Sequence, residues 1–387
     1  MKKNLILWLI FINPLCFNKD IYAQKATDSL SFSGQLAGWG GINFNEPALQ
    51  QIGARYIPAL SYHLKNKHNL IFNIEASVNA YSNIRFNGLK FDTIQSGLKP
   101  YRLSARLSSE QWEIRLGLQK LSFGSASMLR PLMWFDKIDA RDPLQLTDGV
   151  YGLLGRYYFL NNANIWIWGL YGNNERRGWD YFPSSKKDPE FGGRVQVPLL
   201  TGEMAITYNH RNANFSDDTL SILSPGKPYF PENKFGLDGK WDIGAGIWFE
   251  YVYKNSNTSL ASINRQEQYL NFGSDYTFFI GNGLNFSFEH FMFMTGSVLD
   301  KPGNYQNFSA LSMSYPFGMI NRAIIMVFYN YENHSWYRFM NFQRQYDNVS
   351  LYLMLYWNPD TFNLYSGSDE MEMFAGKGVQ IMLSFNH

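Results

Sequence analysis

The 387-residue chain has one cysteine, Cys16, and it lies in an N-terminal stretch of a different character from the rest. Lys2 and Lys3 form a positive leader, residues 5–15 are an apolar core, and Tyr22-Ala23-Gln24 offers a cleavage zone. That is the layout of a secretory signal peptide, so residues 1–24 are expected to be removed and 25–387 to form the folded part. Leu15 stands before Cys16 where a lipoprotein needs a small residue, which argues against lipidation. Without Cys16 the chain can form no disulfide and do no thiolate chemistry. Long apolar runs are also missing, since no later segment approaches the ~18 residues that a membrane-spanning helix needs. Charge is sparse: 17% of residues, with a net charge of +2, against roughly 25% in soluble domains. No basic stripe marks a nucleic-acid partner.

Enzymatic signatures are equally thin. His63, His68, His210, His290, His334 and His387 are scattered, and none neighbours a Gly-x-Ser-x-Gly elbow. No paired His and Glu at helical spacing suggests zinc. Asp136, Asp139, Asp142 and Asp148 offer the carboxylates of a calcium site, but their spacing fits no EF-hand loop and Lys137 and Arg141 would neutralise them. A solvated loop, no metal, no cofactor and no catalysis are the expectation.

What the chain does have is aromatic residues and alternation. Phe, Tyr and Trp make up 17% of it. From residue 30 onward, runs of about ten alternating residues recur, separated by connections. In 69–80, Asn73, Glu75, Ser77 and Asn79 oppose Ile74, Ala76 and Val78. In 99–107, Arg102, Ser104 and Arg106 oppose Leu103, Ala105 and Leu107; in 111–121, Glu113, Arg115, Gly117 and Gln119 oppose Ile114, Leu116 and Leu118. Such period-two patterning marks strands with one wet and one greasy face. Counting them along the chain predicts about 18 strands, with 16 to 20 as the bracket. Two stretches, 164–170 and 320–331, are apolar on both faces and are expected to pack against something further, a second protomer or an inward loop.

Short connections alternate with longer ones, among them 39–53, 81–96, 121–149, 173–190, 212–234 and 358–374. Short turns at one end and long loops at the other is the asymmetry of a bacterial outer-membrane barrel. An even strand count puts both termini on the short-turn, periplasmic side. Tyr251, Tyr253, Trp336 and Trp357 at strand ends suit the aromatic girdles where bilayer meets water. The fold class expected is therefore all-β, a transmembrane antiparallel up-and-down barrel.

On these features the whole chain after the signal resembles porin-type barrels of the Gram-negative outer membrane. The run Arg115-Leu116-Gly117-Leu118-Gln119-Lys120, followed by the loop with Pro131 and Asp142-Pro143, is similar to substrate-specific porins and alginate-export-like barrels. Gly378, Gln380 and Ser384 alternating with Val379, Ile381, Leu383 and Phe385 resemble the C-terminal recognition strand of outer-membrane proteins, although Asn386 and His387 follow the phenylalanine. The resemblance implies a channel for passive or selective diffusion of small polar solutes. Its partners would be outer-membrane lipid and a second copy of itself in a homo-oligomer. The alternative is a non-conducting barrel with a structural, assembly or partner-binding role. About 363 residues (387 less 24) leave no room for the 22 strands and plug of a TonB-dependent receptor.

The candidate lumen and constriction residues are Glu75, Arg102, Arg106, Glu113 and Arg115 on the strands and Arg130, Asp136, Asp139, Arg141 and Asp142 in the 123–148 loop. Two readings of the strand arginines stand side by side. They form an electropositive patch that selects solutes, or an ion-pair network that ties strands together. The loop either gates the mouth or folds into the lumen.

Overall fold

The computed structural model describes residues 28–44, 48–65, 69–88, 90–216, 228–258, 263–296, 305–359 and 374–387. The N-terminal stretch expected to be a signal, with Cys16, and the whole of 217–227 and 360–373 lie outside the described residues. Eighteen strands make up the described chain. The first six are β1 (Ser29–Asn43), β2 (Leu49–Lys65), β3 (Ile71–Asn87), β4 (Lys90–Ser108), β5 (Trp112–Gln119) and β6 (Val150–Tyr158). Next come β7 (Asn164–Leu170), β8 (Glu190–Leu199), β9 (Gly202–Asn214), β10 (Tyr229–Asp242), β11 (Gly246–Ser256) and β12 (Gln266–Phe278). The last six are β13 (Leu284–Thr295), β14 (Tyr305–Pro316), β15 (Asn321–Asn330), β16 (Ser335–Gln345), β17 (Val349–Trp357) and β18 (Lys377–Asn386).

Each strand pairs antiparallel with its neighbours in sequence, and β1 pairs with both β2 and β18. The sheet is therefore a closed barrel, which removes the exposed edges that an open sheet would carry. The seam is finished by the terminal residue: His387 N donates to Gly34 O and Gly34 N donates to His387 O. His387 Nε2 also lies 3.0 Å from Tyr56 Oη on the outer face.

Facing follows the sequence. Leu103, Ile114, Leu116, Ile167, Val195, Ile206, Phe235, Phe272, Leu353 and Ile381 point outward and are exposed, a belt that water would oppose and hydrocarbon accepts. Glu75, Arg102, Arg106, Glu113 and Arg115 lie on the face opposite this belt, Glu75 level with Ser104 and Arg106 with Arg115. Gly117 belongs to this set for a steric reason. Its φ of +112° and the Leu103 carbonyl beside it leave no space for a Cβ.

Two expected long loops are absent. The 39–53 connection shrinks to 44–48 because β1 and β2 stay paired from Trp39–Gly53 up to Asn43–Leu49. The 81–96 connection is strand as far as Asn87 and Lys90, which pair across a two-residue turn. The upper end of this hairpin keeps an apolar face, Ile84 paired with Ile94 and Phe86 with Phe91, but a register shift between Arg85 and Phe86 breaks the period-two pattern there, so the sequence reads as a connection.

The two stretches apolar on both faces have their explanation in the lumen. Trp168 of β7 and Met326 and Phe328 of β15 point inward and belong to the same apolar cluster as Leu121, Phe123, Met128, Leu129 and Trp134 of the β5–β6 loop. The loop is inside the barrel, not beyond its mouth. An outward position gives the check on the lipid-facing belt. Leu353→Arg, at the middle of β17, is expected to cost about 2–4 kcal/mol in urea unfolding from lipid vesicles. A negligible change would remove this face from the bilayer.

Candidate functional site

The β5–β6 connection, residues 120–149, folds across the lumen and rests on the β7–β15 wall. Its grip on that wall is polar. Glu289 of β13 accepts from the amides of Ser127 (2.6 Å), Met128 (3.1 Å) and Leu129 (2.6 Å) and from Ser127 Oγ (3.1 Å). Glu250 of β11 accepts from Ala126 N at 2.7 Å and Leu132 N at 3.1 Å. Asn271 of β12 lies between them and donates to Leu129 O at 2.7 Å. Successive amides turned toward one carboxylate make an anion nest, here occupied by the protein's own side chains. Gly124 has φ +95° and Glu250 against it, so a side chain there would displace the carboxylate. Gly236 of β10 makes a similar opening, where an added Cβ would sit 2.6 Å from Leu132 Cδ2.

Within the loop, Arg130 Nη1 meets Asp136 Oδ1 at 2.7 Å and Arg130 Nη2 donates to Ser122 Oγ and Phe123 O. Both charges are buried; they brace the loop. The β7–β8 connection, residues 171–189, follows it inward. Trp179 stacks on Phe291 at 4.7 Å and donates to Arg130 O. A buried ion-pair network fixes this second loop to the β8–β12 wall: Arg177–Glu190 at 2.5 Å, Arg211–Asp180 at 3.1 Å, Lys234–Asp180 at 2.6 Å, and Arg211–Glu232 at 2.7 Å. Lys254–Glu267 at 2.6 Å and Arg194–Asp238 at 2.6 Å extend it. Removing one partner from such a pair leaves a buried charge uncompensated, so the loops and that wall act as one body.

The free edge of the β5–β6 loop faces β1–β4 and β18. Toward the short-turn end the loop borders a cavity of about 440 Å³ against β10–β16 instead, whose lining includes Ser127, Arg141, Asp142, Pro143, Arg322 and Phe339. Toward the long-loop end lies a smaller cavity of about 120 Å³, with Trp39, Arg55, Tyr81, Asp139, Asp142 and Phe374 in its lining. Asp142 and Pro143 line both, so this bend divides one from the other. Asp142 accepts from Leu144 N at 3.0 Å and Leu146 N at 3.1 Å. Burial pushes its carboxyl up from the usual carboxylate range and the neighbouring Asp139 adds to this, while those two amides and Arg55 pull the other way. Asp139 is held by Arg141 at 2.6 Å, and the Arg141 guanidinium lies over the Phe374 ring.

The strand arginines form a second group, nearer the short-turn end. Glu113 is buried among three of them: Arg106 at 2.8 Å, Arg115 at 2.9 Å and Arg156 at 3.7 Å. Arg156, stacked over Trp166 at 3.7 Å, is a member that alternation on a short β6 did not reveal. Arg102 stands apart, donating to Thr147 O and tethering the end of the loop, as Lys99 does through Asp148 at 2.7 Å. Glu75 faces the lumen on β3, near enough to act on Arg115. The ten candidates thus separate into a wall group, a brace inside the loop and an edge. Arg55, Glu250 and Glu289 complete the arrangement. Arg55 was visible only as one inward position of β2, and nothing local marks a lone Glu as a loop anchor.

Neither a described sequence family nor a curated protein matches this chain. Solved structures do. A BenF-like porin from Pseudomonas fluorescens Pf-5 superposes with a TM-score of 0.60 at 9% identity, over 93% of this chain and 98% of that one. OccAB1 of Acinetobacter baumannii gives 0.57 at 8% identity, over 93% and 96%. OccK5 (OpdH) of Pseudomonas aeruginosa gives 0.55 at 12% identity, over 93% and 98%. The chain has the closed barrel fold of Gram-negative outer-membrane porins.

The anchoring carboxylates can be tested directly. Glu289→Gln replaces an anion with an amide facing three N–H donors and forfeits charge-assisted bonds of about 1.5–3 kcal/mol each. The variant, and Glu250→Gln beside it, should keep the β-sheet circular dichroism of the parent. Limited proteolysis should then cut within 120–149, where the parent resists.

Proposed function

We propose that this barrel is an outer-membrane channel for small polar solutes, and that its passage runs along the free edge of the 120–149 loop, against β1–β4 and β18 toward the long-loop end and against β10–β16 toward the short-turn end. The observation that carries this is the pair of cavities on either side of the loop edge, divided at Asp142 and Pro143. A barrel closed by its loops for purely structural ends would have no need of charged groups at that divide. Here Asp139, Arg141 and Asp142 on the loop face a wall that includes Arg55, the opposed arrangement by which pores orient dipolar and charged solutes. Arg106, Arg115 and Arg156 around the single Glu113 supply an electropositive stretch toward the short-turn end. By analogy with the solved porins, that end faces the periplasm. Arg130 and Asp136 hold the loop in shape without touching the solute.

Reconstitution into a planar lipid bilayer tests the reading. Discrete conductance steps are expected; a folded barrel that inserts and never conducts overturns it and leaves the non-conducting role. Charge placement gives the finer test. Asp142→Asn should shift the reversal potential in a salt gradient toward anions, and Arg106→Ala combined with Arg115→Ala should shift it toward cations.

The pH dependence follows from the raised carboxyl. A carboxylic acid with an elevated pKa takes up its proton earlier as pH falls, so the Asp142 charge is lost at a higher pH than that of an exposed Asp. Cation preference should therefore weaken on mild acidification, and Asp142→Asn should flatten this response. An unaltered pH profile in the variant would take Asp142 out of the passage.

A further inference from the structure

The short-turn rim of this barrel is divided. Five consecutive turns, those joining β6–β7, β8–β9, β10–β11, β12–β13 and β14–β15, carry no charged residue between their strands. Their tips are large and apolar. Leu160 and Leu200 are each 92% exposed, Phe279 is 95% and Met319 is 104%, so no part of the described barrel covers them. The rest of the rim is different in kind, with Glu110 in the β4–β5 turn and Asp347 and Asn348 in the β16–β17 turn.

Two features indicate that the apolarity of the five tips is used. Leu200 holds φ +56° in a two-residue turn, a left-handed conformation that Asn or Gly adopts at lower cost. Asn162 occupies the corresponding conformation in the β6–β7 turn at φ +66°, so this fold uses the cheaper residue elsewhere. Leucine there accepts strain to present a hydrocarbon side chain. Secondly, the tips continue the outer belt without a break. Aromatic pairs two residues apart stand at the foot of three of these turns, Tyr157–Phe159 and Tyr276–Phe278 at 4.8 Å and Tyr315–Phe317 at 4.9 Å between ring centroids. Aromatic rings at strand ends mark the bilayer interface, and the tips are joined to them by one or two residues.

We propose that the arc of turns from β6–β7 to β14–β15 is immersed in the lipid boundary, while the remainder of the rim, from β16 round to β5, stands in water. The occupant of this surface is lipid and not a periplasmic protein. The arc extends a belt that already faces hydrocarbon, and the tips of the five turns lack the charged groups with which a protein interface fixes register and excludes wrong partners; the carboxylate at the foot of one, Asp242, is turned back on Gly244 N of its own turn. The barrel accordingly sits unevenly in its membrane, with one side of the short-turn rim drawn into it. This holds whether or not the barrel conducts.

The lack of cysteine beyond Cys16 makes the test clean. In a Cys16→Ser background, nitroxide labels are placed singly through Leu160→Cys, Leu200→Cys, Phe279→Cys and Met319→Cys. Glu110→Cys and Asp347→Cys mark the polar part of the rim. The full barrel is refolded into phosphatidylethanolamine–phosphatidylglycerol vesicles with a nickel chelate present on both sides. Turn substitutions at single exposed positions leave the strands intact, and heat-modifiable mobility on gels confirms the fold of each. The ratio of oxygen to nickel-chelate collision is expected to be several-fold higher at the four arc positions than at the two markers. Equal ratios at all six sites would overturn the proposal, as would arc positions shielded from both reagents, which would mean that protein and not lipid covers them.

Discussion

Everything inside this barrel depends on two carboxylates placed on the wall where no water reaches them. Glu250 and Glu289 are fully buried, and their hydrogen bonds come chiefly from the backbone amides of residues 126–132. A buried anion without donors is costly, so the wall is unfavourable until the loop lies on it. The loop in turn has a run of amides with no strand to pair with, and the carboxylates satisfy them. Each half is incomplete without the other. Folding the loop inward is thus a requirement of the wall and not a choice made by the loop.

The apolar lining follows from the same contact. Phe123, Met128, Leu129 and Trp134 come into the lumen with the loop and need a surface to cover them, which Trp168, Phe291, Met326 and Phe328 provide. The barrel therefore has two interiors. On the β7–β15 side it is a packed core reinforced by ion pairs from Asp180, Glu190, Arg211 and Lys234. Beside this core are cavities with polar groups in their lining, one against β1–β4 and β18 toward the long-loop end and one against β10–β16 toward the short-turn end. The loop leaves any passage to run along its edge and narrows it to the bend at Asp142 and Pro143, which line both cavities.

The barrel was legible because its signal is local. Alternation around Glu113 and Arg115, or around Lys234 and Asp238, fixes which face is wet without any knowledge of neighbours. The 164–170 and 320–331 stretches broke that rule, and the break was itself informative, since Trp168 stacks on Phe123 of the loop and Met326 belongs to the same apolar cluster. The upper β3–β4 hairpin went unseen because a register shift between Arg85 and Phe86 interrupts the alternation of Ile84, Phe86, Phe91 and Ile94 with their polar neighbours. Site contacts were harder. Glu289 meets Ser127 across 162 residues of sequence, and Arg55 lies near Asp142 only because the barrel closes; neither relation leaves a trace in local spacing. Arg130 and Asp136 were candidates within a loop whose position, at the mouth or in the lumen, local spacing left open, and nothing in that spacing showed that they bond one another.

The account turns on where the passage lies, and Leu144 reports on it. This residue lies on the loop edge two positions past Asp142 and borders the smaller cavity. A Leu144→Cys barrel in the Cys16→Ser background, reconstituted in a planar bilayer, can be treated with a positively charged methanethiosulfonate while current is recorded. A passage between the loop edge and the β1–β4 wall predicts an irreversible stepwise fall in conductance, restored by reductant. Labelled protein whose current is unaltered would contradict the account and place the conducting path elsewhere.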